Sequence, residues 1–180
     1  NNEIVHGIPS DRVIKDGDVV SLDVGAVVGG FHGDSALTLA VGKVSPEIER
    51  LIETTRLSLD LGIKQSVAGN RVGDIGYAVQ TFAEAQGYGV VREYVGHGIG
   101  RSLHEEPSIP NVGEPGKGPL LRVGMVIAIE PMLNMGTWQT RVLDDDWTVV
   151  TADDSLSAHF EHTLAITEDG PWVLTALEGE

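Results

Sequence analysis

The sequence contains no cysteine. That excludes disulfides, thiolate metal ligands and a cysteine nucleophile, and it leaves the redox compartment open. Basic residues are scarce: 12 Lys and Arg stand against 27 Asp and Glu, a formal net charge of −15. Such a surface disfavours nucleic acid and anionic membranes as partners. No run approaches the ~18–20 apolar residues of a membrane span and no signal-peptide pattern opens the chain, so a cytoplasmic location is the default expectation. The HExxH, GxSxG and P-loop patterns are missing. GHGIGR (96–101) departs from the GxGxxG fingerprint, and no acid follows at the distance a ribose would need. An initiator Met is lacking too: the chain opens on Asn1-Asn2-Glu3 and enters strand-like sequence almost at once, which has the look of a fragment or a processed chain.

What is present suits one globular domain over residues 1–180, with 41% hydrophobic and 22% charged residues and enough length to bury a core. The organising stretch is Asp16 to Gly42, which reads as a β-hairpin carrying Asp23 and Asp34. If Val28-Gly29 makes the turn, Asp23 lies directly opposite Asp34. If Gly29-Gly30 makes it, the two are diagonal neighbours on one face. Either register brings their Cβ atoms to within roughly 5–8 Å. Like charges that close repel unless a cation sits between them, and two divalent ions about 3.5–4 Å apart fit the spacing. Four carboxylates facing two such ions would take the net charge from −15 to about −11.

Elsewhere, Ile4 to Ile8 predicts a short strand holding His6. Ser45-Pro46 predicts a helix start, with apolar spacing continuing to about Ser66. A second helix is expected from about Gly73 to Gln86, stopped by Gly87. Val90 to Val95 reads as a strand. The Gly- and Pro-rich stretch after it, 96–118, argues against regular structure. Further strands are expected within Leu120 to Glu130 and over Trp147 to Thr151. His159 to Thr167 and Trp172 to Thr175 predict a closing hairpin. Gly17-Asp18-Val19-Val20-Ser21-Leu22-Asp23 echoes Gly124-Met125-Val126-Ile127-Ala128-Ile129-Glu130, which implies two related halves, each delivering a carboxylate. Strands and helices mix without βαβ regularity, so the class is α+β.

Three further residues join the aspartates. Glu130 ends the apolar strand VIAIE, where a core-facing carboxylate is costly unless paired or metal-bound. Glu161 sits in HFEHTLAI between imidazoles, and His97 lies between glycines that allow close backbone approach. Asp23, Asp34, His97, Glu130 and Glu161 form an oxygen-dominated set with one nitrogen, suited to Mn, Fe or Co, or to Zn in a two-metal hydrolase.

Five stretches resemble type I methionine aminopeptidase: VHGIPSDRVIKDGDVVSLDVG, GGFHGDSA, VVREYVGHGIGRSLHEEPSIPN, VGMVIAIEPM and DDDWTVVTADDSLSAHFEHTLAIT. They span nearly the whole chain in order. The resemblance implies the pita-bread (creatinase/aminopeptidase-like) fold, with pseudo-twofold halves, a mostly antiparallel sheet and helices outside. It implies removal of N-terminal methionine from nascent polypeptides whose second residue is small. Asp23 would chelate one divalent metal, Asp34 and Glu161 would bridge two, and His97 and Glu130 would hold the other. A metal-activated water or hydroxide would attack, with Glu130 as proton shuttle. His104 would donate to the substrate carbonyl, His6 would lie at the scissile amide, and Trp147 and Leu103 would line the methionine pocket. His32, His159 and His162 read as structural or as lying beyond the ligands, with His159 on Glu161's face and able to orient it. An imidazole at 159 replaces an expected amide, and Leu103 replaces a more usual aromatic. Family members carry further N-terminal sequence that packs on the sheet and contributes to the pocket, and this chain lacks it. The acidic surface makes any ribosome association weak or mediated.

Two other readings compete. A proline-directed aminopeptidase or prolidase shares fold and metal set, but Glu130-Pro131-Met132, the HGIP start and Trp147 favour the methionine enzyme. A non-catalytic pita-bread protein binding peptides, histones or ribosomes would be expected to have lost ligands.

Overall fold

The structure, a computed structural model, describes residues 1–176. Its elements run β1 (Glu3–Val5), β2 (Val19–Val28), β3 (Phe31–Ala40), α1 (Pro46–Gln65), α2 (Val72–Ala85), β4 (Gly89–Val90) and β5 (Gly96–Gly98). They continue with β6 (Glu105–Ile109), β7 (Val126–Ile129), β8 (Met132–Asn134), β9 (Thr140–Val142), β10 (Val149–Thr151), β11 (Ser157–His159), β12 (Glu161–Thr167) and β13 (Gly170–Val173). The main sheet is antiparallel in the order β2-β3-β12-β7-β5-β6, with β13 also on β12. Two three-stranded sheets, β1-β10-β9 and β11-β8-β4, flank it. Among the described residues no helix is long and apolar enough to cross a membrane.

The hairpin settles its own register. Val28 pairs with Phe31, leaving Gly29 and Gly30 as the turn with φ of 60° and 82°. Both central residues of a primed hairpin turn need positive φ, which glycine takes without strain. Asp23 therefore faces Ala36 and Asp34 faces Gly25, the diagonal arrangement.

Proline at the first helical position and Glu47 and Glu49 in the first turn start α1, while Lys64 lies in its last turn. Its exposed face carries an Arg56 fork bonded to Glu53 and Asp60 at 2.7 and 2.9 Å. Leu51, Thr55 and Leu59 point inward, and Gly62 lets α2 approach, since a Cβ there would lie 3.1 Å from Val79. In α2, Asp74 accepts from the Arg71 N–H at 2.7 Å, supplying a cap at the N-terminus. Leu59, Val72 and Ile75 from the helices pack on Ile127, Ile129, Leu164 and Ile166 from the sheet. Those four strand residues alternate with Ala128, Glu130, Thr163 and Glu161, which face the other way.

The echo between the halves is structural. Gly17 N–H bonds the Val41 carbonyl and Val41 N–H the Asp18 carbonyl; Gly124 N–H bonds the Ile166 carbonyl and Ile166 N–H the Met125 carbonyl. Gly17 and Gly124 share φ of 92°. The helices, however, pack mainly on the second half. Leu22 pairs with Leu37 and Ser35 with His162, which pairs with Ile129, so the outer face of the hairpin continues the helix side. There Leu22, Val24, Leu37 and Leu39 stay 38–64% exposed.

Several expectations change. The strand expected over Val90–Val95 is only Gly89–Val90. The stretch 96–118 does contain strands, β5 and β6, despite its glycines. The reason is contact: a Cβ on Gly96 would lie 2.3 Å from the Ala128 carbonyl oxygen, and one on Gly98 the same distance from that of Glu106. Glycine here marks close backbone packing rather than a loop. His6 lies just past β1 at φ 63°, and Trp147 precedes β10. Phe160 separates β11 from β12, and β13 ends at Val173.

Candidate metal centre

Each of five neighbouring strands brings one side chain to the same face of the main sheet. Asp23 comes from β2, Asp34 from β3, Glu161 from β12, Glu130 from just past β7 and His97 from β5. Strand alternation places them: Asp23, Ala36 and Glu161 lie side by side, as do His97, Ala128 and Thr163. Ligand atoms of Asp34, His97 and Glu161 all lie within 4.8 Å of one another, and all three side chains are buried. The Thr163 hydroxyl bonds both the Asp34 N–H and its carbonyl, at 2.9 and 2.8 Å, fixing that strand against β12. Asn111 Nδ2 donates to the Glu130 carbonyl at 3.0 Å.

The protonation pattern calls for cations. His97 Nδ1 lies 2.9 Å from the Gly98 carbonyl, so that nitrogen carries the proton and Nε2 presents a bare lone pair. Nε2 faces Glu130 Oε1 at 3.6 Å, too far for a hydrogen bond. Burial lowers the His97 pKa, with His104 adding to it, so the neutral imidazole keeps Nε2 as an acceptor. Burial pushes the Glu161 carboxyl far up, helped by the charges of Glu130, Asp34 and Asp23. Burial likewise raises Glu130, beside Asp23 and Asp34. Asp23, at the more open rim, is pushed up to about 6 by partial burial and by the charge and hydrogen bond of Asp34. Glu161 Oε1 is buried without a hydrogen-bond partner. Carboxyl groups packed this densely, with one buried oxygen left without a partner, fit divalent cations.

Around this cluster lie the other candidates. The His104 ring meets His97 edge-on at 4.4 Å. His6 stacks on Trp147 at 4.6 Å, and Tyr94 closes on it edge-on at 5.5 Å. Its positive φ is sparsely populated for a non-glycine residue and is held by these contacts. A Cβ on Gly25 would lie 3.8 Å from Leu103 and 3.9 Å from Asp34 Oδ1, so Leu103 leans over the hairpin beside the cluster. His162 bonds Thr175 through Nδ1 at 2.8 Å, on the helix side as expected. His159 differs from expectation: its Nε2 approaches Glu130 at 4.0 Å rather than Glu161. Tyr94, Thr163 and Asn111 escaped the sequence reading. Of these only Thr163 carried a signal, the two-residue period from Glu161.

A model of metallopeptidase family M24 matches residues 1–168. The chain belongs to this family. Methionine aminopeptidase of Clostridium perfringens is 52% identical over 178 residues, covering 99% of this chain and 72% of that protein. Methionine aminopeptidase 1 of Bacillus subtilis is 53% identical over 175 residues, covering 97% and 71%. Among solved structures, methionine aminopeptidase of Thermotoga maritima superposes with a TM-score of 0.96 at 49% identity, over 98% of this chain and 72% of that one. Prolidase of Pyrococcus furiosus gives 0.77 at 26% identity, over 96% and 45%. The M24 neighbours share the pita-bread fold that the resemblance implied, and the chain itself is α+β as its strand and helix pattern predicted.

Proposed function

We propose that this M24 chain is a dinuclear-metal aminopeptidase that removes N-terminal methionine from polypeptides with a small second residue. The observation that carries the reading is the buried face-off of His97 Nε2 and Glu130 Oε1 at 3.6 Å beside Asp34 and Glu161. The roughly 50% identity to methionine aminopeptidases supports the substrate. Asp23, Asp34 and Glu161 would hold one ion, and His97, Glu130 and the two bridging carboxylates the other. When bound, two divalent ions lower the pKa of water and polarise the scissile carbonyl.

The chain's own residues supply the rest. Glu130, whose carboxyl takes up a proton readily, can carry one from the attacking water to the leaving amine. His104, whose ring meets that of His97 edge-on, would donate to the carbonyl oxygen as charge develops there. His6, stacked on Trp147, and Leu103 would line the methionine pocket, where apolar walls suit an unbranched thioether. The proposal extends to a cover for Leu22, Val24, Leu37 and Leu39. A further segment, such as the longer relatives possess, would bury this face and complete the pocket. The site of action would be the cytoplasm, on emerging chains.

The test is hydrolysis of Met-Ala-Ser beside an Xaa-Pro peptide by metal-free protein given Mn or Co, with Glu130→Gln as control. Metal-dependent release of methionine alone, lost in the variant, is expected. Preferential cleavage before proline would transfer the chain to the prolidase reading. Failure to take up metal stoichiometrically would leave a non-catalytic peptide binder.

A further inference from the structure

His159 occupies a position that the reading above leaves without a task. Strand β11 pairs with β8 so that His159 lies opposite Met132, two residues beyond Glu130. Its backbone is clamped by one hydroxyl: Thr38 Oγ1 accepts from the His159 N–H and donates to its carbonyl, both at 2.8 Å. The side chain is only 2% exposed, and its Nε2 has no hydrogen-bond partner, yet it points at Glu130 Oε2 from 4.0 Å. A buried polar nitrogen left unpaired costs about 1–3 kcal/mol, so an apolar residue would serve a purely packing role better.

Glu130 thus lies between two imidazoles of opposite character. His97 turns a bare lone pair toward Oε1, having spent its proton on the Gly98 carbonyl. His159 has no such outlet through Nε2 and can present an N–H there.

We propose that His159 is a positioning residue for Glu130, donating its Nε2–H to Oε2 so that Oε1 stays turned toward the metal-facing lone pair of His97. This rests on the reading of Glu130 as a metal ligand. A movement of about 1 Å by the Glu130 carboxylate closes 4.0 Å to hydrogen-bond length. An outer hydrogen bond of this kind orients a ligand and strengthens its hold, and its loss typically weakens metal binding by 10–100-fold.

The experiment is calorimetric titration of the metal-free protein with Mn, comparing wild type, His159→Leu and His159→Gln. Alongside it, nitrogen NMR of the histidine-labelled, Zn-loaded wild type reads the protonated ring nitrogen. His159→Leu should lose at least about 10-fold in Mn affinity. Its metal-free form should unfold at the same or a higher temperature than wild type. His159→Gln, which keeps an N–H donor, should recover most of the affinity, and the NMR should show Nε2 protonated. Unchanged affinity in His159→Leu, or an unprotonated Nε2 in the loaded protein, overturns the inference alone. If His159→Leu does not fold, the His159→Gln titration and the NMR decide by the same criteria. A wild type that binds no Mn removes the reading of Glu130, and this inference with it.

Discussion

Glu161→Gln in the metal-free protein should raise stability at neutral pH while abolishing metal binding, and the gain should depend on pH in a calculable way. Glu161 is 2% exposed and its Oε1 has no partner. Burial, then the charges of Glu130, Asp34 and Asp23, lift its pKa far above the ordinary 4.5. A carboxyl whose folded pKa exceeds its unfolded value stabilises the fold fully below the unfolded pKa. That contribution is lost as pH rises toward the folded value. Holding Glu161 protonated at about pH 7.5 spans about three units at about 1.36 kcal/mol each, or up to about 4 kcal/mol. Glutamine, with nothing to ionise, escapes that loss. Because four carboxyls share the repulsion, the figure is an upper bound for one of them. The advantage of the variant should be near zero at about pH 4.5 and grow by up to about 1.4 kcal/mol per unit above it. In a chain this long, about 4 kcal/mol corresponds to roughly 8–16 °C in Tm. Urea unfolding in chelator at three pH values measures it, and saturating Mn should reverse the ranking by stabilising only the wild type. A difference that does not change with pH, or a variant less stable throughout, would refute the claim that Glu161 is held neutral.

Three other perturbations probe the same architecture. Mn affinity should climb between about pH 5.5 and 7.5 by calorimetry, because Asp23, raised to about 6, and the more strongly raised Glu130 and Glu161 must shed protons to bind; flat affinity across that range would contradict the assignment. Gly98→Ala drives a Cβ to 2.3 Å from the Glu106 carbonyl oxygen. It should cost about 1–3 kcal/mol in chemical denaturation and lower metal occupancy by displacing His97. Trp147→Ala removes the ring stacked on His6 at 4.6 Å and should raise KM for a Met-Ala peptide by roughly 3–10-fold, with kcat less affected.

The sequence was most readable where one residue type answered one need. The hairpin, both helices and the five clustered side chains followed from period, caps, acids in strand patterns and the glycines flanking His97. Its register did not, because Val28-Gly29 and Gly29-Gly30 are both acceptable turns, and only the pairing of Val28 with Phe31 chooses. The strands β5 and β6 were hidden because glycine has two opposite meanings, open loop and closest contact. Only the neighbour across the gap, such as the Ala128 carbonyl, tells them apart. The short strands β8 and β9 carry too few residues for a period to show. His159 was read with Glu161 because both share a strand face. Phe160, however, breaks the strand between them, so His159 belongs to β11, and its cross-strand register with Met132 sends the ring to Glu130 instead.

That the two halves repeat explains why the site lies where it does. Gly17 and Gly124 take the same left-handed turn and close the same pair of backbone bonds, to Val41 and Ile166. Six residues after each, the alternation delivers an acid to the same face, Asp23 in one half and Glu130 in the other. Each half adds a partner from the strand its own first strand pairs with: Asp34 from β3, Glu161 from β12. Between them β3 and β12 join the halves, with Asp34 and Glu161 at the seam. On the proposed reading, the two carboxylates at the seam would serve both ions, while Asp23 on one side and Glu130 on the other would serve one each. The repeat is incomplete in chemistry, since His97 from β5 has no counterpart beyond the exposed edge strand β2. One ion would then be held by oxygen alone and the other by oxygen and an imidazole nitrogen. The two positions should differ in affinity, and stepwise Mn titration should resolve two binding events rather than one.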